Sequence, residues 1–342
     1  MKKIFLYDLE RAFLIFLLLI NLTKDEIFII ASEENLDRNS IKILKKYKNL
    51  NINIISIDFK NLETNLLKRT FYIKNLRKRL KNLILEIEND TAYLYGVSQF
   101  PLATEIFYKE KFIEIEDGVK NYTILKEESK KKIIKDKIKK LIKIFLGAGI
   151  REGVLGYTSN TREVYLTENL CKKIPEDLEE KCKIINLKEL WNKKSKEEQS
   201  IILAIFEFNQ KILHEINEST IILFTQPLSE DKVITEEEKV ELYSKILKKY
   251  NNSSIIIKPH PREKTDYSKN FPNYYVMKER YPVEILELVG INIKKAITIF
   301  SSAAFGLGKN IEIDFYGTEI NDKLLKRFGT QDNIMKRNAF LD

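Results

Sequence analysis

The feature that most constrains the fold of this chain is the alternation of short apolar segments with longer helical ones. Strand-like segments are predicted at residues 3–7, 27–31, 51–57, 92–95, 112–115, 220–225, 254–258, 295–299 and 311–316. Most are separated by stretches with helical spacing, the longest at 62–88. Parallel strands need such crossovers, and a sheet covered on both faces has strands of this apolar composition. The chain is therefore predicted to be an α/β protein.

The alternation occurs twice, which divides the chain into two parts. A Rossmann-like domain is predicted over residues 1–196 and another over residues 218–342, with one connecting helix at 197–217. A length of 342 residues, of which 44% are hydrophobic, suffices for two cores of ordinary size. The strand ends of two such domains are expected to face each other across a cleft, where α/β sheets bind ligands.

An apolar run at residues 12–20 predicts a buried helix. The run is too short to cross a hydrocarbon core of about 30 Å. Asp8, Glu10 and Arg11 precede it and no small-residue cleavage site follows, which argues against a signal peptide. Residues 3–7, 11–22 and 27–31 are therefore expected to form an opening β-α-β unit.

The cysteines and histidines exclude several kinds of site. The chain has two cysteines, Cys171 and Cys182, and two histidines, His214 and His260. This set cannot form a structural zinc site or a disulfide framework. The expected compartment is the reducing cytoplasm. His214 lies in an apolar helical stretch, so a structural role is predicted for it.

The chain is basic, with 59 Lys and Arg residues against 50 Asp and Glu residues. The densest basic run, at residues 130–143, contains apolar residues at helical spacing. It predicts an amphipathic helix, either with a solvated basic face or held against an anionic membrane surface. Nucleic acid is not an expected partner, because no aromatic residues interleave the lysines.

Polar motifs follow three of the predicted strands directly. Glu116-Asp117-Gly118 can present a general base at a strand end, although an ordinary turn has the same composition. The second motif, KPHPR at residues 258–262, places a histidine between two prolines that restrict the backbone on both sides. That imidazole can donate to a phosphate or supply a proton, or it can be a turn residue in solvent.

The third motif is a pair of serines, Ser301 and Ser302, after the strand at 295–299. A short helix is predicted to begin there. Hydroxyls and amides at such a position can bind an anion, or they can simply cap the helix.

In combination these motifs resemble those of the bacterial sialyltransferases. The order acidic-acidic-glycine, His-Pro and paired serines is most similar to glycosyltransferase family 52, which includes lipooligosaccharide sialyltransferases. Further agreement lies in TQPLSED at 225–231, IIIKPHPRE at 255–263, YPVEIL at 281–286 and TIFSSAA at 298–304. The resemblance spans nearly the whole chain and is most specific in the C-terminal half.

The resemblance implies a GT-B fold and an inverting transfer of sialic acid. The implied donor is CMP-sialic acid, and the implied acceptor is a galactose-type hydroxyl of a lipooligosaccharide or capsule. It implies no metal and no further cofactor, and the sequence contains no Asp-x-Asp pair. It also implies a homodimer. With the basic run, it predicts a cytoplasmic protein that is peripheral at the inner face of the cytoplasmic membrane.

Two alternatives remain open at this point. A relative with the same fold could use another nucleotide sugar, as a hexosyltransferase. The chain could also be a non-catalytic, basic surface-binding protein on a GT-B scaffold.

The resemblance implies that the C-terminal domain binds the donor. His260 would contact the donor phosphate and help CMP to leave, and Ser301 and Ser302 would hold the same phosphate. Glu284 would accept hydrogen bonds from the ribose hydroxyls. The backbone of Lys258, Pro259 and Pro261 would line the cytosine pocket.

Two residues are candidates for the base that deprotonates the acceptor. Asp117 fits the acidic motif of the wider sialyltransferase group and is the preferred candidate. Asp231, in the TQPLSED loop, is the rival if this family takes its base from the first loop of the C-terminal domain.

Overall fold

The computed structural model describes residues 1–58, 66–97, 100, 112–118, 160–168, 174, 179–212, 220–250, 254–279, 281–291, 293, 295–308 and 311–330. The chain divides into two compact units. The N-terminal unit comprises Met1–Thr167 and Lys173–Glu207, and the C-terminal unit comprises Glu168–Lys172 and Phe208–Asp342. Each unit contains a parallel sheet with helices, which confirms the predicted α/β class.

The N-terminal unit is built on a seven-stranded sheet of order β3-β2-β1-β4-β5-β6-β7. The strands, all paired in parallel, are β1 (Lys2–Tyr7), β2 (Glu26–Ser32), β3 (Ile52–Ile57), β4 (Ala92–Gly96), β5 (Phe112–Ile115), β6 (Thr161–Thr167) and β7 (Cys182–Ile185). Among the described residues of this unit, the helices are α1 (Glu10–Leu19), α2 (Glu33–Leu36), α3 (Asn39–Leu44), α4 (Leu66–Arg79), α5 (Lys81–Glu88), α6 (Leu187–Asn192) and α7 (Lys196–Ile205). The strand order reverses between β1 and β4.

Helix α1 contains most of the apolar run and packs in the core, as predicted. Every residue from position 12 to position 18 is buried. The rings of Phe13 and Phe16 stack on Phe5 of β1, with centroids 5.5 and 4.6 Å away. Burial of one such side chain contributes about 1.5–3 kcal/mol, so this packing anchors the helix on the sheet. Within the described parts of the chain, no helix is both long and apolar enough to span a bilayer.

The C-terminal unit contains a five-stranded sheet of order β10-β9-β8-β11-β12. Its parallel strands are β8 (Ile221–Phe224), β9 (Ile255–Lys258), β10 (Tyr275–Val276), β11 (Lys295–Thr298) and β12 (Glu312–Phe315). The α-helices in the described part of this unit are α8 (Glu236–Leu247), α9 (Tyr267–Asn270), α10 (Glu284–Leu288) and α11 (Asp322–Phe328), and the 3₁₀ helices there are Lys248–Tyr250, Ser302–Leu307 and Thr318–Ile320.

Helix α8 covers one face of this sheet. Thr235 and Glu238 form a reciprocal capping box at its start, which satisfies two backbone N–H groups. Tyr243 and Ile246 of the helix belong to one buried cluster with Leu223 of β8 and Ile257 of β9. The helix is therefore anchored against the two strands whose following loops carry Asp231 and His260.

The single connecting helix predicted at 197–217 is interrupted within the described residues. Helix α7 begins at Lys196 and ends at Ile205. Glu207 then adopts φ 50°, a left-handed backbone that an α-helix cannot continue through. Its carboxylate accepts a hydrogen bond from Asn39 at 2.6 Å. Residues 196–207 belong to the N-terminal unit, and residues 213–219 lie outside the described parts.

Other differences are smaller. The helix predicted across 62–88 is two helices, α4 and α5, because Leu80 between them has φ −93° and ψ 8°. Strands β6, β7 and β10 were not expected from the sequence. Strands β7 and β10 are the outermost of their sheets, where fewer side chains are buried and the apolar signal is weak.

Candidate active site

Three of the predicted site segments leave the five-stranded sheet at one edge. Strand β8 pairs with β9 on one side and with β11 on the other. The last residues of these strands, Phe224, Lys258 and Thr298, are level in register. Because the strands are parallel, the loops that carry Asp231, His260 and the paired serines begin side by side. The strand order reverses between β8 and β11, which is where open α/β sheets bind ligands.

Glu263 holds the His260 turn in place. Its side chain is fully buried, and Oε2 accepts a hydrogen bond from the backbone N–H of His260 at 2.6 Å. The same oxygen accepts from the hydroxyl of Thr225, directly after β8, and Oε1 accepts from the hydroxyl of Tyr267 in α9 at 2.6 Å. One buried carboxylate thus ties the turn to a neighbouring strand end and a helix.

A buried lysine compensates the carboxylates around this turn. Lys239 of α8 is 0% exposed, and its Nζ lies 2.9 Å from Glu230, 3.2 Å from Glu236 and 3.7 Å from Glu263. Burial raises the pKa of Glu263. Burial acts the same way on Glu230, but hydrogen bonds from the Lys264 N–H and from Lys239 lower the pKa of Glu230 to about 2. Through these ion pairs, α8 holds both the loop that carries Glu230 and the turn that carries Glu263.

The protonation state of His260 follows from its surroundings. Burial and then the Arg262 guanidinium lower the pKa of His260, against the opposing effect of Asp231 and Glu230. The imidazole is therefore mainly neutral at pH 7. Nδ1 accepts the backbone N–H of Arg262 at 3.2 Å, which assigns the ring proton to Nε2. His260 thus has an Nε2–H group that can donate one hydrogen bond to a ligand.

Asp231 forms a bidentate ion pair with Arg262. Nη1 and Nη2 of Arg262 lie 2.7 and 3.0 Å from Oδ1 and Oδ2 of Asp231. The hydrogen bond to Asp231 raises the pKa of Arg262. One candidate base is thus neutralised by a cation on the His260 turn.

Two contacts join the segments that carry the residues assigned to the nucleotide. The Nζ of Lys258 lies 5.5 Å from the centre of the Tyr281 ring, at the start of the YPVEIL segment. In that segment Glu284 is the buried first residue of α10. A Cβ added to Gly306 would lie 2.7 Å from Oε1 of Glu284. The missing side chain lets the Glu284 carboxylate lie against the 3₁₀ helix that begins at Ser302.

The two serines differ in exposure. Ser301 is buried, its N–H donates to the Thr298 hydroxyl at 2.7 Å, and its Oγ accepts from the N–H of Ala303 at 3.4 Å. Ser302 is exposed. Ser301 therefore caps the 3₁₀ helix, and the hydroxyl of Ser302 is the accessible one.

In the N-terminal unit, the acidic motif after β5 contains one structural carboxylate. Glu116 is fully buried and accepts from the N–H and the hydroxyl of Thr167 at 2.7 and 2.8 Å. It also pairs with Arg11 at 2.6 Å. Gly118 has φ 96°, a conformation that favours glycine. Asp117, between them, is partly exposed and is the accessible carboxylate of the motif.

The sequence motifs did not predict roles for Glu263, Arg262 or Lys239 in this site. Glu263 and Arg262 lie inside the KPHPRE segment, so their position beside His260 was an available signal. Lys239 is one of several lysines in a helix, and nothing local predicts its burial. His214 and residues 130–143 lie outside the described parts. Among the described residues, no three His, Cys, Asp or Glu side chains cluster as a metal site requires.

Residues 24–324 match the sequence profile of glycosyltransferase family 52. The chain belongs to this family. It is also 39% identical over 262 residues to an uncharacterized protein of Haemophilus influenzae, with 75% of this chain and 80% of the relative covered. The resemblance to family 52 is thereby confirmed, and the chain is a glycosyltransferase.

The fold of this family 52 chain is similar to that of solved bacterial sialyltransferases. The GT-B domain of a Photobacterium damselae sialyltransferase matches with a TM-score of 0.60 at 12% identity, covering 100% of this chain and 97% of the other. An α/β-galactoside α-2,3-sialyltransferase of Photobacterium phosphoreum matches with 0.59 at 13%, covering 99% and 96%. A 2,6-sialyltransferase of Photobacterium sp. JT-ISH-224, solved with CMP and lactose, matches with 0.59 at 14%, covering 99% and 76%. These similarities confirm the GT-B fold.

Proposed function

We propose that this family 52 glycosyltransferase is an inverting, metal-independent sialyltransferase. It moves sialic acid from CMP-sialic acid to a galactose-type hydroxyl of a cell-surface glycan. The observation that carries the proposal is the His260 turn, a neutral imidazole with an Nε2–H donor at the ligand-binding edge of the C-terminal sheet. The similar sialyltransferase solved with CMP and lactose supports a cytidine nucleotide donor and a galactose-terminated acceptor.

The leaving group requires the strongest assistance in this reaction. The anomeric carbon of sialic acid is fully substituted and carries a carboxylate, so displacement passes through an oxocarbenium-like state. Negative charge grows on the departing phosphate. His260 would donate Nε2–H to that phosphate, and Ser301 and Ser302 would complete its contacts. Donors held in position beforehand stabilise this charge without reorganisation, and Glu263 supplies that rigidity to the His260 turn.

The nucleotide would lie along the neighbouring segments of the C-terminal unit. Glu284, at the start of α10, would accept hydrogen bonds from the ribose hydroxyls. The backbone of Lys258, Pro259 and Pro261 would line the cytosine pocket, and the prolines keep that backbone in one conformation. The approach of the Glu284 carboxylate to Gly306 supports a site in which ribose and phosphate are bound by adjacent segments.

The acceptor hydroxyl loses its proton as the new bond forms. Asp117 is proposed as the base, because it is the accessible carboxylate at the end of β5. The acceptor oxygen attacks the face opposite the departing CMP, which inverts the configuration at the anomeric carbon. Asp231 remains the rival, and its carboxylate is paired with Arg262 in this structure.

The assignment is tested by incubating the purified chain with CMP-sialic acid and a panel of galactosides. We expect a sialylated product, activity that persists in excess EDTA, and greater thermal stabilisation by CMP than by UDP. Preference for UDP would indicate a hexosyltransferase. Failure to transfer or hydrolyse CMP-sialic acid would indicate a non-catalytic protein, and activity that EDTA removes and manganese restores would contradict metal independence.

The affinity for CMP is expected to rise as the pH falls from about 8 towards 6. In the free protein the pKa of His260 is lowered by burial and by Arg262, while Asp231 and Glu230 oppose this and Lys258 adds to it. A bound phosphate raises the pKa again, because its negative charge favours imidazolium. The contribution of the imidazolium charge to binding is therefore largest at low pH and is lost as the pH rises through the pKa of the complex, where the neutral Nε2–H donor remains. Titration calorimetry across this range measures it.

The control for this measurement is His260→Ala. The CMP phosphate itself titrates near pH 6, at about the second pKa of phosphate monoesters, and that effect is present in both proteins. The difference between them isolates the imidazole. An identical pH dependence of CMP affinity in the two proteins would contradict the expected charge interaction between the His260 imidazolium and the phosphate.

A homodimer and a cytoplasmic, peripheral location at the inner membrane face also remain proposals. They are supported by the family resemblance and by the basic composition of residues 130–143.

A further inference from the structure

The Asp231–Arg262 pair differs from the other ion pairs that hold the His260 turn. The Arg262 side chain is 61% exposed and that of Asp231 is 31% exposed, whereas Lys239 and Glu263 are both 0% exposed. A partly exposed pair contributes less to stability than a buried one, because water solvates both ions when they separate. This pair can therefore exchange partners without loss of the surrounding fold.

The backbones that carry the two side chains are fixed. The N–H of Arg262 donates to Nδ1 of His260 at 3.2 Å, and the N–H of Asp231 donates to the carbonyl of Pro227 at 2.8 Å. The neighbouring Glu230 is held by Lys239 at 2.9 Å. The guanidinium thus extends from a rigid turn, two residues from the imidazole.

The bidentate geometry of the pair is the one that a guanidinium uses for any carboxylate. Under the proposed function, the donor carries a carboxylate on its anomeric carbon, the atom that is bonded to the phosphate oxygen. A phosphate at His260 would therefore bring a second, carboxylate anion close to the same turn. Asp231 occupies Arg262 as a carboxylate ligand would.

We propose that Arg262 binds the carboxylate of the donor sugar, and that it leaves Asp231 to do so. The inference rests on the proposed function and adds a specificity-determining residue to it. It gives the site a means to distinguish CMP-sialic acid from CMP, since only the former carries the carboxylate. The exchange also releases the Asp231 carboxylate when the donor is bound.

The test compares CMP and CMP-sialic acid as ligands of Arg262→Ala. We expect the KM for CMP-sialic acid to rise about tenfold or more, as for loss of a charged bidentate contact, while inhibition by CMP changes less than about twofold. Arg262→Lys keeps the positive charge but cannot form the bidentate contact, so its KM for CMP-sialic acid should lie between those of wild type and Arg262→Ala. Lys264→Ala removes an equal, exposed charge two residues away and should leave both constants unchanged.

Asp231→Asn supplies an independent readout. Weakening the pair frees Arg262, so equilibrium binding of CMP-sialic acid without acceptor should be unchanged or tighter, and CMP binding unchanged. Two results for Arg262→Ala would overturn the inference. Equal loss of affinity for CMP and CMP-sialic acid would mean that Arg262 binds the phosphate or shapes the turn. Unchanged affinity for both would mean that Arg262 binds neither ligand. Wild-type protein that fails to bind CMP-sialic acid would instead refute the proposed function itself.

Discussion

Replacing His260 with alanine is expected to reduce sialic acid transfer and acceptor-free hydrolysis of CMP-sialic acid by a factor on the order of a hundred or more. Both reactions break the bond between sialic acid and the phosphate. Loss of the His260 hydrogen bond to that phosphate should therefore slow both. The turn should keep its shape, because Glu263 accepts the backbone N–H of residue 260, which alanine retains. The measurement is release of CMP with and without a galactoside.

His260→Asn is the matched control for this experiment. Its amide can accept the N–H of Arg262 and can donate a neutral hydrogen bond, but it cannot transfer a proton at neutral pH. Activity between those of wild type and His260→Ala would indicate hydrogen-bond donation to the phosphate. Activity as low as that of alanine would indicate proton transfer, and full turnover of His260→Ala would contradict the proposed mechanism.

The same pair of assays distinguishes the two candidate bases. If a residue only deprotonates the acceptor, its alanine variant should lose sialic acid transfer. The variant should keep much of the hydrolysis of CMP-sialic acid, since water can attack without that residue. We expect this behaviour from Asp117→Ala. If Asp231→Ala shows it and Asp117→Ala transfers normally, the base belongs to the C-terminal unit and the motif after β5 shapes the acceptor loop.

Lys239→Met is expected to destabilise the C-terminal unit by about 3–5 kcal/mol, the range for breaking a buried ion pair from one side. Methionine has a similar length, so the loss is one of charge and hydrogen bonds rather than of volume. It leaves Glu263 without the cation that lies 3.7 Å away, in a position that is 0% exposed. Urea unfolding followed by circular dichroism measures the change in free energy of unfolding.

Lys245→Met on the same helix is the control. Lys245 pairs with Glu241 at 2.8 Å, but both side chains are mostly exposed, so its loss should change stability little. The double variant Lys239→Met, Glu263→Gln removes the stranded charge and should recover part of the loss. Equal destabilisation by the two single variants would show that Lys239 does not stabilise the turn through its charge.

Most of the fold could be predicted because strands and helices are periodic along the chain. Strand β5 was predicted at its observed bounds, and the apolar run in α1 was correctly assigned to the core. The strand-end motifs could also be found, since parallel strands bring their following loops to one edge. Strands β7 and β10 are short and only partly buried, and the sequence pattern did not predict them.

The prediction of one continuous helix at 197–217 was wrong for a different reason. Residues up to Ile205 have helical spacing and a capping box at the start. The end is decided by Glu207, whose left-handed backbone accompanies a hydrogen bond from Asn39, a residue 168 positions away. Local propensity cannot register a partner that distant in sequence.

The roles of the charged residues were likewise decided by tertiary contacts. From the sequence, Lys239 and Lys245 are equivalent lysines of one helix, yet the first is 0% exposed and the second is 68% exposed. Glu116 and Asp117 are adjacent carboxylates, and only the distant Arg11 and Thr167 make the first of them structural. The sequence determined which chemical groups follow which strands, because that depends on the order of residues. Which of those groups are held by buried partners and which can meet a substrate depended on long-range packing, because a charge is stabilised or left accessible only by what surrounds it in space.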